Sequence, residues 1–410
     1  MQTGYRSPAP VPTFDDIRAA ADALRGVAHR TTTERSETFS RQCAGDVFLK
    51  FENRQKTGSF KIRGAYNKIR SLTDPERVAG VVAPSAGNHA QAVAFAARSA
   101  GVPATVYMPE AASLAKVGAT EGYGASVRLV GDSVEDSVAA AVADAASDGR
   151  TLVHPFDDEL VIAGQGTVGL EILEDVPDVD AIVVPLGGGG LLSGIALAVK
   201  SQRPDVRVIG VEAAGCAPYV ASLEHGEIHP AAQTETIADG IAVKHPGEIT
   251  FGLVREHVDD VVTVTDAEIG MTIVQLLERT KAVVEGAGAV GLAALLAGRV
   301  QAKRAVAVLS GGNIDTPLLM QVIRFGLTNA GRYLVIRTRL TDRPGQLMHL
   351  LQVIADAHVN ILLVSHHRES VDVAVAETGI ELILETRDEA HAHEIVELVR
   401  SSGYPVTRMR

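Results

Sequence analysis

Between residues 80 and 309, short apolar runs rich in β-branched residues alternate with longer Ala-rich stretches of helical character. That alternation limits the fold more than any other feature of the chain. Residues 80–83, 104–108, 126–130, 151–153, 181–184, 207–212, 261–264 and 305–309 read as strands, with helices such as 90–100, 134–146 and 266–279 between them. A Thr13-capped helix to about Val27, a polar stretch (29–42) and a strand at 46–52 come earlier. Strands and helices in this order predict an α/β fold with mainly parallel sheets covered on both faces. Such sheets bind ligands outside the carboxyl ends of their strands, where loops enter helices.

Near Phe325 the pattern changes. Gly326-Leu327-Thr328-Asn329-Ala330-Gly331 reads as a turn-rich link. Beyond it the order is strand (333–340), helix (345–357), strand (360–367), strand (379–385), helix (388–401) and a last short strand (405–407), a βαββαβ ferredoxin-like unit. The expected layout is therefore a main domain over 1–327, a linker over 328–332 and a small domain over 333–410.

Composition excludes several function classes. A net charge of −12 with 4% aromatics and no Trp argues against a nucleic-acid or anionic-membrane partner. Thirteen His fall without ligand spacing, and no H-E-x-x-H or C-x-x-C occurs. Cys43 and Cys216 cannot form a disulfide framework, so a reducing cytoplasm is the expected compartment. The N-terminal MQTGYRSPAPVPTF has no apolar core of a secretory signal. Residues 181–199 carry no charge and are long enough to be weighed as a membrane span. Pro185 and five glycines make a strand, Gly-rich turn and helix the better reading.

Four loops carry the candidate chemistry. In Lys56-Thr57-Gly58-Ser59-Phe60-Lys61-Ile62-Arg63-Gly64, Ser59 reads as a helix N-cap. Lys61 then falls in the first turn, where the helix dipole disfavours its charge and leaves a nucleophile and base. Ser85-Ala86-Gly87-Asn88-His89 links a strand to a helix, so its backbone N–H groups can hold an anion. Gly187-Gly188-Gly189-Gly190-Leu191 offers backbone unobstructed by side chains for a phosphate. Ser310-Gly311-Gly312-Asn313 sets one hydroxyl beside a glycine pair just past a strand. Each loop also has a plain reading as a turn or helix start. A dinucleotide fingerprint is a further alternative, with Glu212 as its acid, but Leu192 breaks the G-x-G-x-x-G register.

Taken together, Ser59-Phe60-Lys61-Ile62-Arg63-Gly64, Ser85-Ala86-Gly87-Asn88-His89-Ala90-Gln91, the Gly187–Gly190 tetrad and Ser310-Gly311-Gly312-Asn313 resemble the pyridoxal-phosphate-dependent threonine/serine dehydratases of the tryptophan-synthase-β fold type (fold type II). The resemblance spans about residues 14–325. It extends to His154-Pro155-Phe156-Asp157-Asp158, Gly164-Gln165-Gly166-Thr167 and Asp239-Gly240-Ile241-Ala242. It implies a small subdomain, about 54–155, inserted in a large one, and pyridoxal 5′-phosphate as the cofactor. Lys61 would hold the cofactor as an imine and act as base once substrate displaces it, with Phe60 beside it. Gly187, Gly188, Gly189, Gly190 and Leu191 would cradle the phosphate, Asn88 would meet the ring oxygen and Ser310 the pyridine nitrogen. Ser85, Ala86, Gly87, Asn88 and His89 would bind the substrate carboxylate, Ser85 also serving catalysis. The implied reaction is ammonia release from L-threonine and L-serine. A 3-hydroxyaspartate dehydratase is the nearest alternative, and a catalytically dead amino-acid sensor is the alternative of another class.

Two departures narrow the expectation. Ala86 stands where similar serine racemases carry a second serine, so racemisation should be weak. Cys216-Ala217-Pro218 supplies no carboxylate beside Glu212, so no required divalent metal is expected. The C-terminal unit resembles an ACT domain. Asp342-Arg343-Pro344-Gly345-Gln346-Leu347 matches its ligand loop, and Asn360-Ile361 its second strand entry. The resemblance implies a small amino-acid effector, branched-chain by expectation, held by helix-start amides and a subunit interface in a homo-oligomer (dimer or tetramer). The other reading of this unit is subunit glue without a ligand.

Overall fold

The computed structural model describes residues 10–367 and 376–409. It divides into two compact units, 1–314 and 315–410.

The first unit begins a large sheet, leaves it to build a smaller one, and returns. β1 (Thr33–Arg35) and β2 (Asp46–Lys50) start the large sheet. β3 (Val81–Pro84), β4 (Ala104–Met108), β5 (Ser126–Leu129) and β6 (Thr151–Leu152) form the small sheet in the order β5-β4-β3-β6, all parallel. β7 (Ala181–Pro185), β8 (Arg207–Ala213), β9 (Asp260–Val264) and β10 (Arg304–Val308) then complete the large sheet, whose order is β1-β2-β10-β7-β8-β9. Only the β1–β2 pair is antiparallel there. Both sheets are sheathed by helices, as near-continuous apolar strands require. β7 is buried at every position, and the main core gathers on it and on the helix Gly190–Gln202. Residues 181–199 thus form a strand, a turn and most of a helix. Among the described residues no helix is long and apolar enough to cross a membrane.

The helix Lys61–Arg70 is fixed by a buried ion cluster. Arg63, 1% exposed, lays its guanidinium against Glu52 at 2.7 and 2.9 Å and against Glu171 at 2.6 and 3.0 Å. The fully buried Lys50 donates to the same Glu171 at 2.7 Å. Removing one partner from such a cluster typically costs 3–5 kcal/mol, because the remaining charge is left unpaired in a dry site. A Cβ at Gly64 would lie 2.6 Å from the Val161 carbonyl, so only glycine lets this helix cross the helix Glu159–Asp175 so closely. The ion cluster and this close crossing together fix where Lys61 begins.

Three local expectations are corrected. The helix capped by Thr13 ends at Leu24, before Gly26 at φ +75°. The polar stretch 29–42 holds β1 and the helix Glu37–Cys43, because a three-residue polar strand on a sheet edge carries no apolar alternation. Most of the link expected at 326–331 is helical: Thr316–Asn329 is one helix, opened by Asp315 and Pro317, with Gly326 buried on its packed face.

The second unit carries β11 (Tyr333–Thr341), the helix Gln346–Asp356, β12 (Asn360–His367), β13 (Glu377–Glu385), the helix Glu389–Ser401 and β14 (Val406–Met409). Its sheet is antiparallel in the order β12-β13-β11-β14, the ferredoxin-like arrangement read from the sequence.

Candidate active site

Loops at the carboxyl ends of β3, β7 and β10 meet the start of the helix Lys61–Arg70. The segment before Lys61 is stitched to the Ser310 loop. Phe60 N donates to Ser310 O at 3.1 Å, Ser59 pairs with Gly311 as an isolated bridge, and Gly312 N donates to Gly58 O at 2.9 Å. Ser59 is therefore extended backbone and not the helix cap. Phe60 occupies that position without a side-chain bond, and the Ser59 hydroxyl is buried with no partner among the described residues.

Lys61 Nζ donates to Pro155 O at 2.8 Å and lies 5.2 Å from the Phe60 ring centre. Burial pushes the amine down to about 8, and the nearby Glu285 charge opposes that shift only in part. The lysine is thus easier to deprotonate than an ordinary one, with desolvation as the leading cause.

The Pro155 carbonyl joins the amine to the glycine turn. Phe156 packs on the tetrad: a Cβ at Gly188 would collide with its ring, and one at Gly190 would lie 2.9 Å from its carbonyl. A Cβ at Gly187 would lie 2.7 Å from Ile241 Cα, and Gly189 sits at φ +93°. All four glycines are buried, and the helix Gly190–Gln202 opens with no side-chain cap. Its first-turn N–H groups therefore have no intrahelical partner and can serve as donors to an anion. Leu191, 5% exposed, belongs to the core beneath.

Asn88 begins the helix Asn88–Ala100. Its amide donates to Glu285 Oε1 at 2.7 Å, and its oxygen accepts from Asn313 Nδ2 at 2.7 Å. Asn313 also donates to Thr57 O at 2.7 Å, closing a loop of contacts around Ser310, which is itself 3% exposed. Glu285, 5% exposed, is pushed up to about 7, by burial first and then by the Asp239 charge. Sequence reasoning missed Glu285, which sits beside a glycine with no motif to mark it, and named Asn313 and Pro155 only as members of their motifs, without the contacts they make with Asn88 and Lys61.

Around the candidate carboxylate pocket the donors divide. Ser85 N donates to Tyr107 O at 3.0 Å, continuing the small sheet, and Gly87 N donates to Ser85 Oγ at 3.1 Å. Those two amides are engaged by the protein. The helix after Gly87 has no side-chain cap, so its first-turn amides, Asn88 and His89 among them, have no intrahelical partner. Ala86 packs beside the helix on the small-sheet core. The His89 ring is buried and pushed down to about 3 by burial, and its Nε2 lies 2.8 Å from Val153 O. A neutral ring donating to that carbonyl fits, so His89 contributes its backbone and not a charge. Glu212 accepts from Tyr219 N and Val220 N, both at 3.0 Å, and serves as a cap for the helix Pro218–His225.

The chain is similar to known proteins over most of its length. Residues 24–311 match the family model of pyridoxal-phosphate dependent enzymes. The chain belongs to that family. It is 48% identical over 395 residues to the L-threonine ammonia-lyase of Thermotoga maritima, covering 96% of this chain and 98% of that one. It is 49% identical over 316 residues to the catabolic L-threonine dehydratase TdcB of Escherichia coli K12, covering 76% of this chain and 96% of the relative. Among solved structures, maize serine racemase aligns with a TM-score of 0.74 at 37% identity, over 78% of this chain and 99% of that one. The site fits a pyridoxal-phosphate dependent enzyme on its own chemistry. It combines a lysine amine pushed down to about 8, a buried glycine turn packed too closely for any Cβ and followed by an uncapped helix start, and a buried hydroxyl at Ser310.

The effector residues of the C-terminal unit are not brought together within one chain. Asn360 pairs with Glu385 opposite Tyr333, at the start of β11, and its amide donates to Glu385 Oε2 at 3.1 Å. Ile361 follows it into the core of this unit. Asp342, Arg343, Pro344, Gly345, Gln346 and Leu347 follow the other end of β11 and open the uncapped helix Gln346–Asp356. The length of β11 separates the two groups by roughly 25 Å.

With its amine near 8, Lys61 is charged below that pH and nucleophilic above it. Formaldehyde–cyanoborohydride labelling of Lys61 in the cofactor-free protein should rise to half its maximum near pH 8, read by peptide mass spectrometry. A midpoint above 10, the ordinary lysine range, would contradict the desolvated amine.

Proposed function

We propose that this chain converts L-threonine to 2-oxobutyrate and ammonia by β-elimination, and L-serine to pyruvate in the same way. The observation that carries the reading is the depressed Lys61 amine, joined through Pro155-Phe156 to the glycine cup. The names of the relatives at 48–49% identity support the substrate.

Bound pyridoxal phosphate supplies the electron sink that makes the Cα proton of an amino acid removable. Lys61 Nζ would hold the cofactor by its aldehyde carbon and, as a free amine, would take the Cα proton of the substrate. The β-hydroxyl then leaves, taking up a proton, and water replaces the amine, so the net change is threonine to 2-oxobutyrate and ammonium. Gly187 to Leu191 would hold the phosphate, Asn88 would meet the ring oxygen, and Phe60 lines the lysine. Glu285 and Asn313 position Asn88 from either side. Ser310 would meet the ring nitrogen with a neutral hydroxyl, which cannot stabilise a charged ring as a carboxylate would, and this would favour prompt loss of the leaving group. The substrate carboxylate binds the amides of Ala86, Asn88 and His89, with Ser85 and Gly87 shaping the turn. Ala86 brings no hydroxyl to the opposite face, so elimination outruns racemisation.

The C-terminal unit is read as an ACT domain that binds a branched-chain amino acid. Because the Asp342–Leu347 loop and Asn360-Ile361 lie at opposite ends of one sheet, a second copy must complete the site, which favours a homo-oligomer. The free cysteines Cys43 and Cys216 suit a reducing cytoplasm.

Purified protein should release ammonia from L-threonine and L-serine faster than from 3-hydroxyaspartate. Lys61→Ala should keep its circular-dichroism spectrum and lose at least about a thousandfold in turnover, the span of general-base and nucleophilic terms combined. Normal turnover by the variant would remove Lys61 from the reaction. Isoleucine or valine should shift threonine half-saturation roughly five- to a hundredfold, and Asn360→Ala should abolish the shift. A shift that survives would locate the effector elsewhere.

A further inference from the structure

Behind the glycine turn lies a group of buried polar residues that the reaction does not use. Tyr219, in the helix Pro218–His225, is fully buried. Its hydroxyl lies 3.1 Å from Gly188 O and 2.9 Å from Thr250 Oγ1. Each hydroxyl has one proton and Thr250 Oγ1 also lies 3.3 Å from Gly247 O, so Tyr219 donates to Gly188 O when Thr250 turns its proton to Tyr219. Burial pushes the phenol well above its ordinary range, so it stays a donor at any working pH. Thr250 is itself held: its amide donates to Asp157 Oδ1 at 3.1 Å, beside the amides of Glu248 and Ile249 on the same carboxylate. Asp157 follows Phe156, the residue packed on the front of the tetrad. The turn is gripped from both sides.

The peptide between Gly188 and Gly189 is trans, as are all described peptide bonds. In a trans peptide the C=O and the following N–H point in opposite directions. Tyr219 pulls the Gly188 carbonyl toward the core, which turns the Gly189 N–H toward the cup. Gly189 accepts the resulting φ of +93°, and a Cβ there would also lie 2.8 Å from Thr250 Cβ.

We propose that Tyr219, braced by Thr250, is a positioning residue that fixes the Gly188–Gly189 peptide with its N–H facing the cofactor phosphate. The pair thereby makes the site select phosphorylated over unphosphorylated pyridoxal. This rests on Gly187 to Leu191 being the phosphate cup, and the experiment separates the two claims. Apoenzyme is titrated with pyridoxal phosphate and with pyridoxal by absorbance, and its melting temperature is measured with inorganic phosphate. Wild type should bind pyridoxal phosphate more tightly than pyridoxal and melt higher in phosphate. Tyr219→Phe keeps the ring and removes the donor. It should weaken pyridoxal phosphate about tenfold, the value of one buried carbonyl left unpaired, while pyridoxal binding stays within about twofold and the phosphate effect on melting shrinks. Thr250→Val should move the same ratio in the same direction and carries the test if Tyr219→Phe does not fold. An unchanged ratio in folded variants, or equal loss for both ligands, would reduce Tyr219 to core packing. A wild type without preference for the phosphorylated form would overturn the cup, and the proposal with it.

Discussion

A part-buried lysine amine drawn below its ordinary range, yet held in place, is the constraint on which the rest of this structure depends. The amine's hydrogen-bond partner among the described residues is one neutral carbonyl, that of Pro155. Such a group would swing back to solvent unless its backbone were fixed. The fixing is done two residues away, where Arg63 spends its guanidinium on Glu52 and Glu171 inside the core. One charge is neutralised in full so that its neighbour can be left without a strong partner. The stitching of Phe60 to Ser310 and of Ser59 to Gly311 then ties the backbone before the lysine to the loop after β10.

The same economy of charge runs through the site. His89 is held neutral far below its ordinary range, Lys61 is drawn toward neutrality, and Glu285 is pushed up toward it. Burial is the first cause in each case. A site poor in fixed charge leaves the phosphate and carboxylate of its ligands to be met by backbone N–H groups, which cost little reorganisation when charge moves. The glycine turn and the uncapped helix starts at Asn88 and Gly190 are the parts that supply them.

Much of this was legible in the chain itself. Alternating apolar and Ala-rich runs gave the parallel sheets, because strands buried on both faces cannot hide their composition. The four loops were found because glycine tetrads and an Asn-His or Ser-Gly-Gly step at a strand end have few other reasons to sit there. Illegible parts were those decided by distant partners. Ser59 resembles a cap locally, but its bridge to Gly311, far away in sequence, holds it extended. Glu285 and Asn313 become parts of the site only because Asn88 lies between them. The edge strand β1 exists because Asp46–Lys50 offers it a partner, and the helix Thr316–Asn329 overrides the turn signal of Gly326 by burying that glycine.

The account's central claim is that one particular amine carries the cofactor. Reducing the purified, cofactor-loaded protein with borohydride, digesting it and sequencing the fluorescent peptide tests this directly. The account predicts a single pyridoxyl-modified residue, Lys61. Modification of another lysine, or a protein in which borohydride fixes no pyridoxyl group, would contradict it.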